Sequence, residues 1–290
     1  EVKTSPAVAL LCVLLLVIGA SLAWVSTRRL HPRGDGAAPV DPRRIVSMAP
    51  SLTEMLLYLG ARDRLVGVTV HCQGVGPELP RVGSFLEPDL ERIVALRPDL
   101  VLGIASRTQS PLFATLGRLA IPTEVIPSET VEDVRRAAVR LSALVGAEER
   151  SRAFIARLDR ATASPPPGEH PLRAAFVVQR GPIFVAGGGS FIDEMLAAAA
   201  IKNVFHDREE AYLAVDLEEI IRRDPDLILD THPRADATGP VAGEDPYWRR
   251  FSRLRAVREG GIVPFQEVWP GIGIPAWIEE LKGVAARRRP

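Results

Sequence analysis

The chain has 290 residues, enough for two lobes of roughly 100–150 residues each rather than one small domain. Lys+Arg and Asp+Glu both number 36, so the formal net charge is zero and the basic surface of a dedicated nucleic-acid binder is excluded. With 25% charged and 47% hydrophobic residues, the composition is that of a folded globular protein and not of a disordered chain.

There are two cysteines. Cys12 sits in an apolar run and Cys72 stands alone in the polar part, so neither a disulfide framework nor a multi-cysteine zinc site is expected. Of the basic residues only Lys3, Lys202 and Lys282 are lysines. So strong a bias toward arginine makes any single Arg a weak functional signal.

Pro6–Val25 carries no charge and is long enough to cross a hydrocarbon core of ~30 Å as a helix. It reads as a secretory signal or an uncleaved anchor, with a small-x-small cleavage site at Ser21-Leu22-Ala23. Leu11 before Cys12 is too bulky for lipoprotein processing. Arg28, Arg29 and Arg33 follow the run and only Lys3 precedes it, which by the positive-inside rule points the other way. Weighed together, these features predict an exported domain, in the periplasm or on the outer face of the cytoplasmic membrane. Residues 26–42 have linker composition.

From Arg43 short apolar strands alternate with helices. Ile45–Met48 is a strand, and Ser51-Leu-Thr-Glu54 reads as a capping box that opens a helix ending at Gly60. A strand at Leu65–Val70 and a helix at Asp89–Leu96 follow. Next come a strand at Asp99–Ile104, a helix near Ser110–Leu119 and a strand at Thr123–Ile126. This alternation predicts a parallel sheet covered by helices. Two helices, Val131–Val145 and Ala147–Ala163, lead to a break at Ser164-Pro-Pro-Pro-Gly168. The pattern then restarts with strands Ala174–Gln179 and Ile183–Ala186, helices Phe191–Ala199 and Leu217–Arg223, and a strand Asp226–Asp230. It closes with a strand Gly261–Phe265 and a helix at about Pro275–Arg287.

The segment Leu90–Leu102 (LERIVALRPDLVL) repeats at Leu217–Leu229 (LEEIIRRDPDLIL), with seven of 13 positions identical at an offset of 127 residues. Each copy is a short amphipathic helix, a Pro that stops it, and a buried strand. The expected architecture is therefore two Rossmann-like α/β lobes with parallel sheets, joined by a helical backbone, with a ligand cleft between them. The expected divisions are 1–25 for the signal or anchor, 26–42 for the linker, 43–145 for the N-terminal lobe, 146–168 for the connecting helix and 169–290 for the C-terminal lobe. Each repeat places an acid, Glu91 or Glu218, in the first turn of its helix, where the dipole favours negative charge. That role alone would account for both residues.

In order along the chain, Arg44-Ile-Val-Ser-Met-Ala-Pro-Ser-Leu-Thr-Glu54, Val66-Gly-Val-Thr-Val-His-Cys72, Val82-Gly-Ser-Phe85 and the two repeat segments resemble the helical-backbone periplasmic substrate-binding proteins. These are receptors that feed cobalamin, siderophores and haem to ABC importers. The likeness runs from about Arg43 to Lys282 and is nearest to the cobalamin-binding members. It implies a non-enzymatic receptor, acting as a monomer with a permease partner, that carries a metal-containing ligand such as cobalamin as cargo and uses no cofactor. It places His71, Phe85, Tyr212 and Trp269 against that ligand, and it makes Glu91 and Glu218 the acids that dock onto permease arginines. His71 stands where a Tyr is usual, and Ile104 where a pocket Trp occurs.

Aromatic walls suit a large planar ligand, because stacking and burial supply most of its affinity. Arg107 and Arg180 follow strands and could reach a siderophore carboxylate or a haem propionate, or could be solvated surface residues. His232 is similarly placed. His71 and Cys72 could ligate a metal, or serve as a loop histidine and a buried thiol. Gly187-Gly-Gly-Ser190 lacks the features of a nucleotide loop and reads as a tight turn. The alternative functions are a ferric siderophore or haem receptor of the same fold, a membrane-anchored sensor domain without transport, and an enzyme handling a metallated tetrapyrrole on a similar scaffold.

Overall fold

The computed structural model describes residues 41–84, 86–105, 110–163, 171–231, 245–266 and 268–288. The apolar run at 6–25, most of the linker, the Pro-rich break, Phe85, Arg107 and His232 lie outside the described residues.

In the first lobe β1 (Ile45–Ser47), β2 (Leu65–Val68), β3 (Leu100–Ile104) and β4 (Thr123–Ile126) form an all-parallel sheet in the order β2-β1-β3-β4. The connections carry α1 (Pro50–Tyr58), α2 (Leu90–Ala95) and α3 (Ser110–Arg118). The two-residue period of a strand sorts its side chains between the two faces. Val46, Val101 and Ile93 of α2 pack with Leu112, Phe113 and Leu116 of α3 on one face. Ile45, Leu100 and Leu102 point the other way, toward α1 and the long α4 (Val131–Val145).

α4 opens with a capping box of Thr130 and Asp133 and ends at Gly146, whose φ of 71° leads directly into α5 (Glu148–Thr162). Phe154 and Leu158 of α5 are fully buried, and Phe154 meets Tyr58 of α1 edge-on at 5.9 Å.

The second lobe contains β5 (Leu172–Gln179), β6 (Ile183–Ala186), α6 (Phe191–Ala198), β7 (Ile201–Asn203), β8 (Tyr212–Val215) and α7 (Leu217–Arg223). It continues with β9 (Leu227–Asp230), α8 (Pro246–Arg249), α9 (Arg255–Arg258), β10 (Ile262–Pro264) and α10 (Ile274–Arg288). Its strand order is β10-β9-β5-β6-β8, with β7 also beside β5. The expectation of a parallel sheet holds for β7, β5, β9 and β10 but not for β6, which runs antiparallel to β5 and β8. Only Arg180-Gly-Pro182 separates β5 from β6, too few residues for a crossover, so the chain can only turn back. The short β7, β8, α8 and α9 had no counterpart in the sequence reading.

The repeat is real in three dimensions and extends beyond the similar sequence. Ile45 of β1 is opposite Leu100, and Ala174 of β5 is opposite Leu227. Asp89 and Asp216, 127 residues apart, are the N-caps of α2 and α7, each accepting from the amide three residues on. Arg97 and Asp224 end those helices in left-handed conformation, at φ of 46° and 41°. Arg44 donates to the carbonyls of Leu96 and Arg97, and Arg173 donates to those of Arg223 and Asp224. Asp99 accepts from the amides of Arg43 and Arg44, as Asp226 does from that of Arg173.

One continuous apolar cluster contains Leu100 and Leu102 of the first sheet, Leu141 of α4, Phe154 of α5, Phe176 and Leu229 of the second sheet, and Ile278 and Leu281 of α10. The inner faces of both sheets therefore pack into one core around the connecting helices.

Candidate functional site

In the first lobe the chain leaves β2 through Thr69-Val-His-Cys72, a tight turn closed by the Cys72 amide donating to the Thr69 carbonyl. Thr69 and Cys72 are buried, and the Cys72 thiol lies 3.1 Å from the hydroxyls of both Thr69 and Thr53. The Thr53 hydroxyl in turn donates to Ser47. Arg81 donates to the carbonyls of Thr69 and Cys72 from below. This buried polar anchor forces the intervening Val70 and His71 outward, and Val70 is half exposed although it is apolar.

Beside it, Val82-Gly-Ser84 runs along β2 and turns back through Glu87. Gly83 has a φ of 87°, and a Cβ there would stand 2.3 Å from the Glu87 carbonyl, so only glycine fits. The turn holds Leu86 at its tip with 68% of its surface open. Ile104 ends β3 only partly buried.

The second lobe contributes the Gly187-Gly188-Gly189 turn, Tyr212 and the segment after β10. Cβ atoms at the three glycines would stand 2.1–2.3 Å from the carbonyl oxygens of Glu210, His206 and Glu209. The triple glycine thus lets two backbones touch, which leaves no cradle for a phosphate and agrees with the tight-turn reading. Below it Asp193 accepts from Asn203 and contacts the His206 imidazole at 2.9 Å. The stacked loops deliver Tyr212 to the start of β8, opposite Ala186. Its surface is 44% open. Desolvation, followed by the nearby Glu129 carboxylate, nonetheless raises the phenol above its ordinary range.

The two lobes meet at these loops. The Phe191 amide at the start of α6 donates to the Glu129 carbonyl, and Glu194 accepts from the Val131 amide. Burial raises the Glu194 carboxyl, an effect the Val131 hydrogen bond opposes and the neighbouring acids Asp193, Asp133 and Glu132 reinforce. A Cβ added at Gly271 would stand 3.6 Å from Ser51, so this segment runs against the first turn of α1. Two residues earlier stands the half-buried Trp269, near enough to Glu54 to act on its carboxyl. Burial raises the Glu54 carboxyl above its usual range, and the Trp269 hydrogen bond only partly offsets this.

This corrects the capping-box reading of Ser51–Glu54. Pro50 already lies inside α1, its N-cap is Ala49, and no side chain caps it. Glu54 is therefore free to face the second lobe. Assigning it to the cap is what hid it in the sequence.

Trp269 and Tyr212 of the second lobe each lie near enough to an acid of the first, Glu54 and Glu129 respectively, for the ionisation of one partner to respond to the other. His71 sits on an exposed turn of the first lobe. Phe85 and Arg107 are outside the described residues. Arg180 is engaged internally: its guanidinium is 12% exposed and lies 2.6 Å from both Asp230 and Asp245. It also lies over the Tyr247 ring, while the Trp248 indole donates to Asp230. Asp245 would be raised by its burial, but the Arg180 hydrogen bond and the backbone amides of α8 hold it below the ordinary carboxylate range.

Glu91 and Glu218 are both exposed in the first turns of α2 and α7. Among the described residues no three His, Cys, Asp or Glu side chains come together as a metal site. No helix among them is long and apolar enough to cross a membrane.

Residues 45–263 match the family model for periplasmic binding proteins. A vitamin B12-binding protein of Pectobacterium atrosepticum is 25% identical over 224 residues, covering 73% of this chain and 78% of its own. A vitamin B12-binding protein of Vibrio cholerae is 24% identical over 256 residues, covering 86% and 90%. Among solved structures, the periplasmic vitamin B12-binding protein of Vibrio cholerae superposes with a TM-score of 0.71 at 23% identity, covering 87% of this chain and 100% of that one. A periplasmic haem-binding protein from Pseudomonas aeruginosa gives 0.72 at 23% identity, covering 86% and 94%.

Proposed function

Because the chain belongs to the periplasmic binding protein family, we propose that it is the substrate-binding component of an ABC importer, holding a corrinoid such as cobalamin between its lobes and delivering it to a permease. The observation that carries this reading is the apolar surface left open on loops of both lobes. Val70 and Leu86 on the first lobe and Tyr212 on the second are among the few large apolar side chains left exposed, and Trp269 is only half covered. Apolar surface held open on loops of both lobes is what a large flat ligand would cover. His71, Phe85, Tyr212 and Trp269 line this ligand in the proposal. The two relatives from Pectobacterium atrosepticum and Vibrio cholerae are named for vitamin B12, which favours the corrinoid over haem or a ferric siderophore.

In this reading residues 43–145 and 169–290 act as the two jaws and 146–168 as the connecting helix. The apolar run before residue 26 exports the protein, and the cargo's metal belongs to the ligand. Glu91 and Glu218 dock the loaded receptor on the permease.

Titrating the purified protein with cyanocobalamin, haemin and a ferric siderophore, read by quenching of tryptophan fluorescence, tests the proposal. Saturable one-to-one quenching by cyanocobalamin is expected. Saturation by the siderophore alone would reassign the ligand and make Arg107 the residue to test, and binding of none of the three would remove the receptor reading.

A further inference from the structure

We propose that Arg223 and Arg81 are positioning residues, each locking the loop that presents a ligand-facing side chain, Tyr212 or His71, to the helix that bears its lobe's exposed acid. The inference rests on the receptor reading above, which sets those two side chains against the ligand, and it names what holds them there.

In the second lobe, residues 204–211 connect β7 to β8 and deliver Tyr212. Arg223, in the last turn of α7, closes over this segment. Its Nη1 donates to the Val204 carbonyl, and Nη1 and Nη2 grip the Asp207 carboxylate at 2.5 and 2.9 Å. Its Nε, 2.6 Å from Glu219, fixes the guanidinium to its own helix. The guanidinium also lies over the Phe205 ring, 4.6 Å from its centroid. Only 19% of the Arg223 side chain is exposed, so this is not a solvated surface pair. The other side of the segment is held by the Gly188 amide donating to the Arg208 carbonyl and the Gly187 amide donating to that of Ala211. Tyr212 is the next residue, so its backbone is placed from α7 as well as from the glycine turn.

The first lobe has the same device. Arg92 follows Glu91 in α2 and donates to the Arg81 carbonyl at 2.8 Å. The Arg81 guanidinium donates to the carbonyls of Thr69 and Cys72 at 3.2 and 2.8 Å, which closes the turn with Val70 and His71 at its tip. The path from acid-bearing helix to ligand loop is therefore common to both lobes, although Leu96 stands 127 residues before Arg223. The two lobes reach one arrangement through positions that the sequence repeat does not share. Arginine suits the task because its several donors lie on one rigid plane.

Double-mutant cycles on the full chain test this, read by cyanocobalamin titration with tryptophan quenching. Arg223→Met is paired with Tyr212→Ala, and Arg81→Met with His71→Ala. Arg223→Met should weaken binding about tenfold alone but less than about twofold once Tyr212 is Ala, since residues linked by a shared backbone shift are not additive. Arg81→Met should weaken it about threefold alone and have no effect once His71 is Ala. Asp207→Asn leaves Arg223 bonded to Glu219 and Val204, so it keeps the test open should Arg223→Met not fold. It should weaken binding about threefold, again only while Tyr212 is present.

A residue that merely supports the fold would weaken binding equally with and without the aromatic or imidazole. Such additive losses in either lobe, or unchanged affinity in the arginine variants, overturn the inference and leave the receptor reading standing. Failure of wild type to bind cyanocobalamin overturns both.

Discussion

The two lobes share one unit and differ in what surrounds it. β1, α2 and β3 in the first match β5, α7 and β9 in the second, down to the arginine that closes each helix end and the aspartate that holds each strand start. Around that unit the first lobe stays all-parallel, with hydroxyls and a thiol packed beneath its loops. The second adds the antiparallel β6 and β8 and a buried ion cluster. The shared part is scaffold with an acid on each copy. The divergent part carries the loops that the proposed receptor would turn toward its ligand.

The largest effect separating the lobes is expected at Arg180, which has no counterpart in the first lobe. Arg180→Met leaves Asp230 and Asp245 buried without their cation, a change that typically costs about 3–5 kcal/mol. Asp245 has a lowered carboxyl in the folded state, so its contribution is present above the ordinary carboxylate range and lost as pH falls through the depressed value. In the variant Asp245 loses that cation and its carboxyl moves upward. Urea unfolding should therefore show the deficit shrinking from pH 7 toward pH 5, whereas a pH-independent deficit would mean packing alone is lost.

Next comes the glycine turn. Gly188→Ala puts a methyl 2.3 Å from the His206 carbonyl, and backbone cannot rotate away as a side chain can. A loss of about 1–3 kcal/mol is expected, the usual range for overpacking. Since the same loop stack positions Tyr212, cyanocobalamin affinity should fall with it. Gly117→Ala, in α3 with open space around it, is the control and should be neutral or slightly stabilising.

The third test compares the matched aspartates. Asp99 holds two backbone amides, while Asp226 holds one and also pairs with Arg255 at 2.7 Å. Both substitutions to Ala should cost about 1–3 kcal/mol through unsatisfied amides. The exposed Arg255 adds little, because surface ion pairs contribute about 0–1 kcal/mol. Equal losses would confirm that the repeat is energetically as well as geometrically matched, and a loss confined to Asp226 would break the equivalence.

Much of this frame was legible in the sequence, for reasons visible at particular residues. Pro98 and Pro225 stop their helices wherever they occur, and the apolar runs Leu100–Leu102 and Leu227–Leu229 are buried on both faces, so the repeated unit could be read directly. β8 escaped because Tyr-Leu-Ala-Val is only four residues long and exposes its first residue. The turn of β6 was readable in principle, since three residues cannot carry a crossover, yet the regular alternation elsewhere suggested a uniform parallel sheet. Among site residues, Tyr212 and Trp269 were visible as aromatics beside strand ends. Glu54 was not, because Ser-x-x-Glu before an apolar run is also the signature of a cap. Only the position of Pro50 inside the helix separates the two readings. Arg180 was visible only as an arginine after a strand, and its partners lie 50 and 65 residues away.

The smallest effect in solution is expected where the lobes agree best. Glu91 and Glu218 stand in the first turns of α2 and α7, each preceded by an aspartate that already satisfies the helix amides. A helix that returns from one parallel strand to the next begins at the carboxyl edge of its sheet, so each acid lies at the equivalent edge of its own lobe. Neither forms an ion pair among the described residues, so neither is needed to close the fold, and the helix dipole stabilises the charge without engaging its outer oxygens. Two acids fixed in this way can set the register of the receptor on a permease bearing complementary arginines, acting through orientation and on-rate more than through affinity. The Glu91→Arg, Glu218→Arg double variant should therefore unfold within about 1 kcal/mol of wild type, since reversed charges at two dipole ends cost a few tenths each. Its affinity for cyanocobalamin should stay within about twofold, because both residues are exposed at helix starts where solvent screens their charge. Uptake of labelled cobalamin by cells relying on this receptor should nevertheless be lost. Normal uptake by the double variant would reduce both acids to helix-start residues and leave the matched edge of the two lobes without a partner.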